Sequence, residues 1–441
     1  MRTVVAARPS GPNSATRQPQ GLRRQRRPDN PLRPLSDRLP PHTMLACCPR
    51  RWQRGGAEYY TRPFRLELIL DRRTLLQLAV ASPVAAVETH ATANSDDEID
   101  AYVRERMRAK GIPGAGIAVI RAGHRLRLAA FGIADLETGR PASLKDVYPM
   151  ASVSKIMTAI IAMKLVEAGK LDLDAPAARY LPQANSAIPE SVLVRHLLSH
   201  TSGLISPEEN PAYAAELQKR KKAGSFADTR KLEYFTPTEM ISYAPKPRTK
   251  PSEEWRYNQY PYLLFGLIVA NLTGKSFDAF AQEAILDPLG MTSTAYGDHR
   301  TLVSNRRPAN YTRESGPLQN FMLEYPPSFW PAAGCNSSVP DMAKLLSALK
   351  PGGLLSAGSL KTMSERTTLL NGKVIGYGLG VSVDTTAGHT WFGHEGGGCC
   401  YAGYWPQEGL GVTVMFNMSA TKEDAITSEV AARAGVFPKT G

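Results

Sequence analysis

Apolar residues along the chain recur first at helical spacing, then in alternation, then at helical spacing again. Ile99, Tyr102, Val103 and Met107 follow acidic residues suited to a first turn and predict a helix over 96–109. Ile112-Pro113-Gly114 ends it. Residues 116–121 and 125–133 alternate or run apolar around Ala122-Gly123, which predicts a hairpin. A long apolar helix is expected over 152–168, closed by Gly169. From about 170 to 290 the signals are helical, separated by loops rich in Pro and Gly. Within that stretch residues 206–235 are polar and read as a surface excursion, with Lys219-Arg220-Lys221-Lys222 a solvated face. Strand patterns return at 377–383, 389–392, 401–405 and 411–416, and residues 424–434 predict a closing helix. Strands at both ends around a helical middle predict an α+β fold. Its antiparallel sheet would be built from both chain ends and flanked by helices, with a mostly helical subdomain inserted over about 170–290. No repeat of 20–50 residues is visible, which argues against a solenoid or propeller.

Charge changes the picture less than the total suggests. The 441 residues carry 53 Lys+Arg and 40 Asp+Glu, a formal +13. Residues 1–93 hold 16 Arg and 6 acids, so the remaining 348 residues carry only +3. The part able to fold is near neutral, and a nucleic-acid partner is not expected. An arm that binds nucleic acid would rest on the leader's arginines alone.

That leader is expected to be disordered over 1–70. Residues 1–43 contain eight prolines and nine arginines with no apolar periodicity, and Met44 offers a second start. Asp71-Arg72-Arg73-Thr74-Leu75-Leu76-Gln77 then precedes an apolar run to Val87 and the small residues Ala91-Thr92-Ala93. A twin arginine, an apolar stretch of about 14 residues and a small-x-small site read as an export signal over 71–93. The competing reading is a buried N-terminal helix. The run is shorter than the roughly 20 residues of a spanning helix, so stable membrane insertion is not expected. The mature chain would be one domain over 94–437, periplasmic or extracellular. It keeps three of the five cysteines, Cys335, Cys399 and Cys400, with no C-x-x-C. Either Cys335 pairs with one of the other two or all three are buried thiols.

Several catalytic signatures are missing: there is no G-x-S-x-G and no H-E-x-x-H, and Gly274-Lys275-Ser276 lacks the preceding glycine of a phosphate loop, Val269 standing there. Gly274 reads instead as a helix stop. What remains is Ser152-Val153-Ser154-Lys155. Alone, S-x-x-K means little, since average composition yields about one chance match in a chain this long. Its place at a predicted helix start matters more. Lys155 is one turn from Ser152 on the same face, and a desolvated lysine can take the proton of a hydroxyl. The helix N-terminus supplies backbone N–H groups for a developing oxyanion. Trp255-Arg256-Tyr257-Asn258-Gln259-Tyr260 precedes an apolar helix, and Phe392-Gly393-His394-Glu395-Gly396-Gly397-Gly398 ends a predicted strand.

Taken together and in this order, these segments resemble the serine β-lactamase and penicillin-binding superfamily. The similarity is strongest to the branch of class C β-lactamases, D-Ala-D-Ala carboxypeptidases and related serine esterases. Further blocks agree: Ile112-Pro113-Gly114-Ala115-Gly116-Ile117-Ala118-Val119 at the first core strand, Gly169-Lys170-Leu171-Asp172-Leu173-Asp174, His196-Leu197-Leu198-Ser199-His200-Thr201-Ser202-Gly203-Leu204, Asp287-Pro288-Leu289-Gly290-Met291 and Tyr377-Gly378-Leu379-Gly380. The resemblance implies a β-lactamase/transpeptidase-like fold with no metal or cofactor. Ser152 would be the acylated nucleophile, Lys155 its proton partner and Tyr257 the proton shuttle to the leaving group. His394-Glu395-Gly396 would take the place of the K-T-G strand. Backbone N–H groups of Ser152 and Gly397 would form the oxyanion hole, with Gln259 and Gly396 beside the substrate. His200 and Thr201 would belong to the scaffold.

Two departures bear on activity. Gln259 stands where the family has the asparagine of Y-x-N, so its longer side chain would misplace the lysine and an amide substrate. His394 replaces a permanent cation, so a substrate carboxylate would be held less strongly at neutral pH. The expected partner is therefore a small-molecule or peptide acyl substrate: esters first, D-amino-acid peptides second, β-lactams third. The alternative is a non-catalytic penicillin-recognising or peptidoglycan-binding module with a decayed site. Oligomeric state is not legible.

Overall fold

A computed structural model of the chain describes residues 95–435, apart from 183–187, 224–234, 298–301, 303, 315, 323–324 and 387. The expected leader and export signal, with Cys47 and Cys48, lie outside the described residues. Helix α1 (Ser95–Lys110) begins with Asp96, Asp97 and Glu98 and buries Ile99, Val103 and Met107. Strands β1 (Gly114–Arg121) and β2 (His124–Asp135) follow as a hairpin. Its two-residue loop has φ of 49° at Ala122 and 83° at Gly123, the left-handed pair that matches the twist of adjoining strands.

The sheet closes with strands from the far end of the chain. These are β9 (Ser382–Thr386), β10 (His389–Gly396), β11 (Cys400–Trp405) and β12 (Leu410–Phe416). With β3 (Arg140–Pro141) they form a seven-stranded sheet in the order β3-β2-β1-β12-β11-β10-β9, antiparallel throughout. β1 pairs with β12 from Ala115 opposite Phe416 to Arg121 opposite Leu410, so the sheet is assembled from both chain ends.

Both faces of the central strands are covered, which is why they read as nearly continuous apolar runs. Ile117, Val119, Val412 and Val414 pack with Ile99, Val103, Ile426 and Val430, under α1 and the closing helix Ile426–Arg433. Ala118, Ile120, Ala402 and Met415 turn to the opposite face, against the helical side. There α2 (Ser154–Glu167) is buried from Ser154 to Met163. The helix Tyr260–Thr273 packs in the same cluster and stops at Gly274, whose φ is +68°. Among the described residues no single helix is long and apolar enough to cross a membrane.

Two expectations change. Over 377–383 the strand begins only at Ser382, and Tyr377 joins it through an isolated bridge to Ser382. Gly380 takes a φ of +75°, and the backbone bonds leave the sheet: Gly378 N–H donates to the Val381 carbonyl, Leu379 N–H to that of Met363 and Gly380 N–H to that of Leu198. A Cβ on Gly378 would stand 2.4 Å from the Met363 carbonyl oxygen, and one on Gly380 2.9 Å from that of Lys155. The basic run is not simply solvated either. Arg220, on the helix Pro211–Ala223, pairs with Glu216 and Glu239 and lies 4.0 Å over the Phe235 ring.

Candidate active site

Strand β4 (Val147–Pro149) pairs with β8 (Cys335–Ser338), which also pairs with β5 (Ala295–Tyr296), while β6 (Tyr311–Thr312) and β7 (Gln319–Asn320) pair with each other; after β4 the chain turns sharply. Met150 N–H donates to the Cys335 carbonyl, and Ala151 takes a φ of +44°, left-handed for a residue with a Cβ. A single 3-10 turn, Ala151–Val153, leads into α2 and sets Ser152 at its start. Ser152 is 9% exposed and Lys155 wholly buried.

The Lys155 amine meets three oxygens: Ser152 Oγ at 3.1 Å, Gln259 Oε1 at 2.8 Å and the Ala332 carbonyl at 3.0 Å. Burial pushes its pKa well below the ordinary lysine value, with the nearby Glu395 charge pulling the other way. A neutral amine has two N–H bonds and one lone pair. Gln259 Oε1 and the Ala332 carbonyl can only accept, so in the neutral form they take the two hydrogens and leave the lone pair for Ser152. The Tyr257 hydroxyl donates to Ser152 Oγ from the other side at 2.8 Å. Desolvation of the phenol end raises its pKa to about 12, against bonds to Ser152 and Gln259 that lower it, while the residue as a whole stays 39% exposed. The extra methylene of Gln259 therefore does not prevent contact with Lys155. Its amide lies between lysine and tyrosine.

Tyr257 is set by its neighbours in the loop. Asn258 Oδ1 accepts from Tyr260 N–H at 2.9 Å, and Asn258 Nδ2 donates to the Leu204 carbonyl at 3.0 Å. The Asn258 N–H donates to His200 Nδ1 at 3.2 Å, so Nδ1 is unprotonated, and burial holds this ring well below its ordinary pKa. The His200 ring lies 4.4 Å from that of Tyr257 and 5.0 Å from those of Tyr262 and Tyr377, centroid to centroid. His200 thus backs the tyrosine directly, a position the sequence reading did not assign.

His394 is nearby but points elsewhere. Its Nδ1 is 2.5 Å from the Glu395 carbonyl, which can only accept, so Nδ1 carries the proton. Nε2 then accepts from the Tyr377 hydroxyl at 3.0 Å. Burial pushes the imidazole down to about 3, leaving it neutral at physiological pH. Its centroid lies 6.1 Å from that of Tyr257. Tyr377 and the Ala332 carbonyl also escaped the sequence reading. The first sits in a loop where a strand was expected, and the second is a backbone group that any residue would supply.

The β10 end abuts the nucleophile's turn. A Cβ on Gly396 would meet the Met150 carbonyl oxygen at 2.2 Å, and one on Gly397 the Ala151 Cβ at 3.7 Å. Only glycine permits the first approach. Cys335, Cys399 and Cys400 are three buried free thiols. Cys399 donates to the Gly396 carbonyl at 3.0 Å and Cys400 to that of Pro149 at 3.1 Å, tying the β10–β11 tip to the strand before Ser152. The structure therefore brings Ser152, Lys155, Tyr257 and Gln259 into one bonded group. Gly396 and Gly397 lie beside it, and His394 is one contact away.

The family model described as Beta-lactamase matches residues 99–436. The chain belongs to the beta-lactamase family. Among curated relatives it is 30% identical to Esterase EstB of Burkholderia gladioli over 207 residues, 45% of this chain and 50% of that protein. It is 26% identical to Protein flp of Staphylococcus aureus (strain N315) over 211 residues, 47% of this chain and 40% of that protein. The chain thus spans half or less of the length of these relatives. Among solved structures, the octameric penicillin-binding protein homologue from Pyrococcus abyssi superposes with a TM-score of 0.62 at 26% identity, covering 76% of each chain. EstCE1, a hydrolase with promiscuous acyltransferase activity, has a TM-score of 0.62 at 21% identity over 77% of this chain and 97% of that one, and shows the shared fold alone.

Proposed function

We propose that the protein is a serine hydrolase that cleaves an ester, amide or lactam carbonyl through an acyl-enzyme on Ser152. The observation that carries this is the Lys155 amine, whose two acceptor-only partners leave its lone pair toward Ser152 Oγ. As Oγ attacks the carbonyl carbon, its proton passes to Lys155 Nζ. Tyr257 would return a proton to the departing alkoxide or amine and then take one from the water that frees the acyl group. The backbone N–H groups of Ser152 and Gly397 would hold the oxyanion, as the packing of the β10 end on Ala151 favours. Esters rank first, D-amino-acid peptides second and β-lactams third, because a neutral His394 supplies no cation for a substrate carboxylate. The relative named as an esterase agrees with that order. Export through the twin-arginine segment is part of the same reading, and sequencing the mature N-terminus tests it. A start after Ala93 is expected; retention of Arg72-Arg73 would refute it.

The deciding experiment is intact-mass spectrometry of the full chain after a fluorophosphonate, beside Ser152→Ala. One adduct on the wild type and none on the variant is expected. A folded wild type without adduct would overturn the reading in favour of a non-catalytic penicillin-recognising or peptidoglycan-binding module.

A further inference from the structure

A cleft of about 620 Å³ opens between α1 and β2, on the face of the sheet away from the catalytic group. Its floor is apolar, made of Met107, Ile112 and Phe131, each at most 7% exposed. Met107, Ile112 and Phe131 pack in the cluster under α1 with Ile117 and Val119. Met150 and Val153, on either side of Ser152 in the chain, belong to the cluster on the other face. Along the rim stand Arg104 and Arg108, four residues apart on α1 and therefore on one side of the helix. The volume falls within the roughly 300–1,000 Å³ of small-molecule sites.

No carboxylate answers these two cations. Other arginines on the same two elements are paired, Arg106 with Glu423 and Arg127 with Asp100. Among the described residues Arg104 and Arg108 have no ion-pair partner, and no acidic side chain lines the cleft. The helix dipole favours a cation at Arg108, in the last turn, but fades before Arg104. Arg104 lies 4.6 Å over the Phe131 ring. A guanidinium stacked in this way keeps its N–H edge open in the plane of the fork, the geometry that takes a carboxylate through two bonds. A third guanidinium borders the site. Gly111 lines the cleft, and a Cβ there would stand 3.0 Å from Arg313 Nη2.

We propose that this cleft is a second ligand site, separate from the catalytic one, for the anion of a single-chain fatty acid. The carboxylate sits on Arg104 and Arg108, Arg313 adds charge across Gly111, and the alkyl chain covers Met107, Ile112 and Phe131. The chemistry of the lining selects this occupant. The rim repels a cation, a small anion leaves the apolar floor wet, and a neutral lipid leaves the guanidiniums without a counter-charge. The proposal does not rest on the acyl-enzyme, since the cleft and Ser152 lie on opposite faces of the sheet.

The test is calorimetric titration of the full chain with decanoate below its micelle concentration, beside octanoate, acetate and decyltrimethylammonium. Wild type should bind decanoate, octanoate several-fold more weakly, and neither acetate nor the cation. Added salt should weaken the binding. Two variants at exposed positions locate the site without disturbing the core. Arg104→Gln combined with Arg108→Gln should weaken decanoate roughly tenfold or more. Ala101→Glu sets a carboxylate on the cleft wall one turn before Arg104 and should block binding from within the helix. Absence of decanoate binding, equal binding of the cation, or undiminished affinity in both variants overturns the proposal. So does binding to phosphatidylglycerol vesicles without binding of monomeric decanoate, which would make this face a membrane contact. Fluorophosphonate labelling of the same samples keeps the two readings apart. Label without decanoate binding refutes this site alone, and decanoate binding without label refutes the acyl-enzyme alone.

Discussion

Replacing Lys155 with methionine removes the amine and keeps an unbranched apolar side chain in its place. The structure predicts opposite effects on activity and on the pH dependence of stability. An ordinary lysine titrates at 10.5, and burial disfavours its charged form in the fold. Lys155→Met relieves that cost. It also strips Gln259 Oε1 and the Ala332 carbonyl of a donor, at about 1–3 kcal/mol each. The two effects oppose each other.

The pH dependence does not cancel. Because the folded-state pKa of Lys155 is lowered, the unfolded chain binds one more proton than the folded one between the folded value and 10.5. Stability of wild type therefore rises with pH across that window, by about 1.4 kcal/mol per pH unit, and the variant lacks this slope. Urea unfolding of both full-length proteins at pH 8 and 9.5 should show wild type gaining stability relative to the variant as pH rises. Hydrolysis of p-nitrophenyl butyrate by the variant should fall by about 10²- to 10⁴-fold, as for loss of a general base. A stability difference that stays constant between pH 8 and 9.5 would mean Lys155 is charged in the fold, and the reasoning about its lone pair would fail.

Tyr257→Phe keeps the ring against His200 and loses the 2.8 Å bond to Ser152; kcat should drop about 10²-fold or more with KM little changed. Equal loss in kcat and in the yield of folded protein would point to a structural role. Arg106 makes paired bonds of 2.9 and 2.7 Å to Glu423, whose side chain is 4% exposed, with Lys110 at 3.4 Å the remaining cation. Arg106→Ala should destabilise the chain by about 2 kcal/mol or more, since it loosens α1 from the loop before the closing helix. Activity per folded molecule should be unchanged, and a loss below about 0.5 kcal/mol would mean that solvent already screens the pair.

Much of the architecture is legible because it follows from local pattern. α1, the first hairpin, α2 and the last three strands follow from period, turn residues and glycine stops, all carried within a dozen residues. Where the pattern misled, at 377–383, the cause is non-local: Leu379 and Gly380 donate their N–H groups to the carbonyls of Met363 and Leu198, contacts that no window of sequence contains. The role of Arg220 was hidden for the same reason, since Glu239 and Phe235 come from beyond its own helix.

The candidate site divides in the same way. Ser152 and Lys155 stand one helical turn apart, so their proximity is a property of α2 and was determined by the sequence itself. That Gln259 still reaches the lysine, that the Ala332 carbonyl completes its partners, and that His200 backs Tyr257 depend on segments 57 to 177 residues apart in the chain. The protonation states belong to the tertiary structure too. Lys155 and His394 titrate normally in an unfolded chain, and only burial among fixed acceptors makes one a free base and the other a neutral ring. Residue order determined which groups could meet. Desolvation, which exists only once the sheet and helices have closed over them, decided what those groups can do.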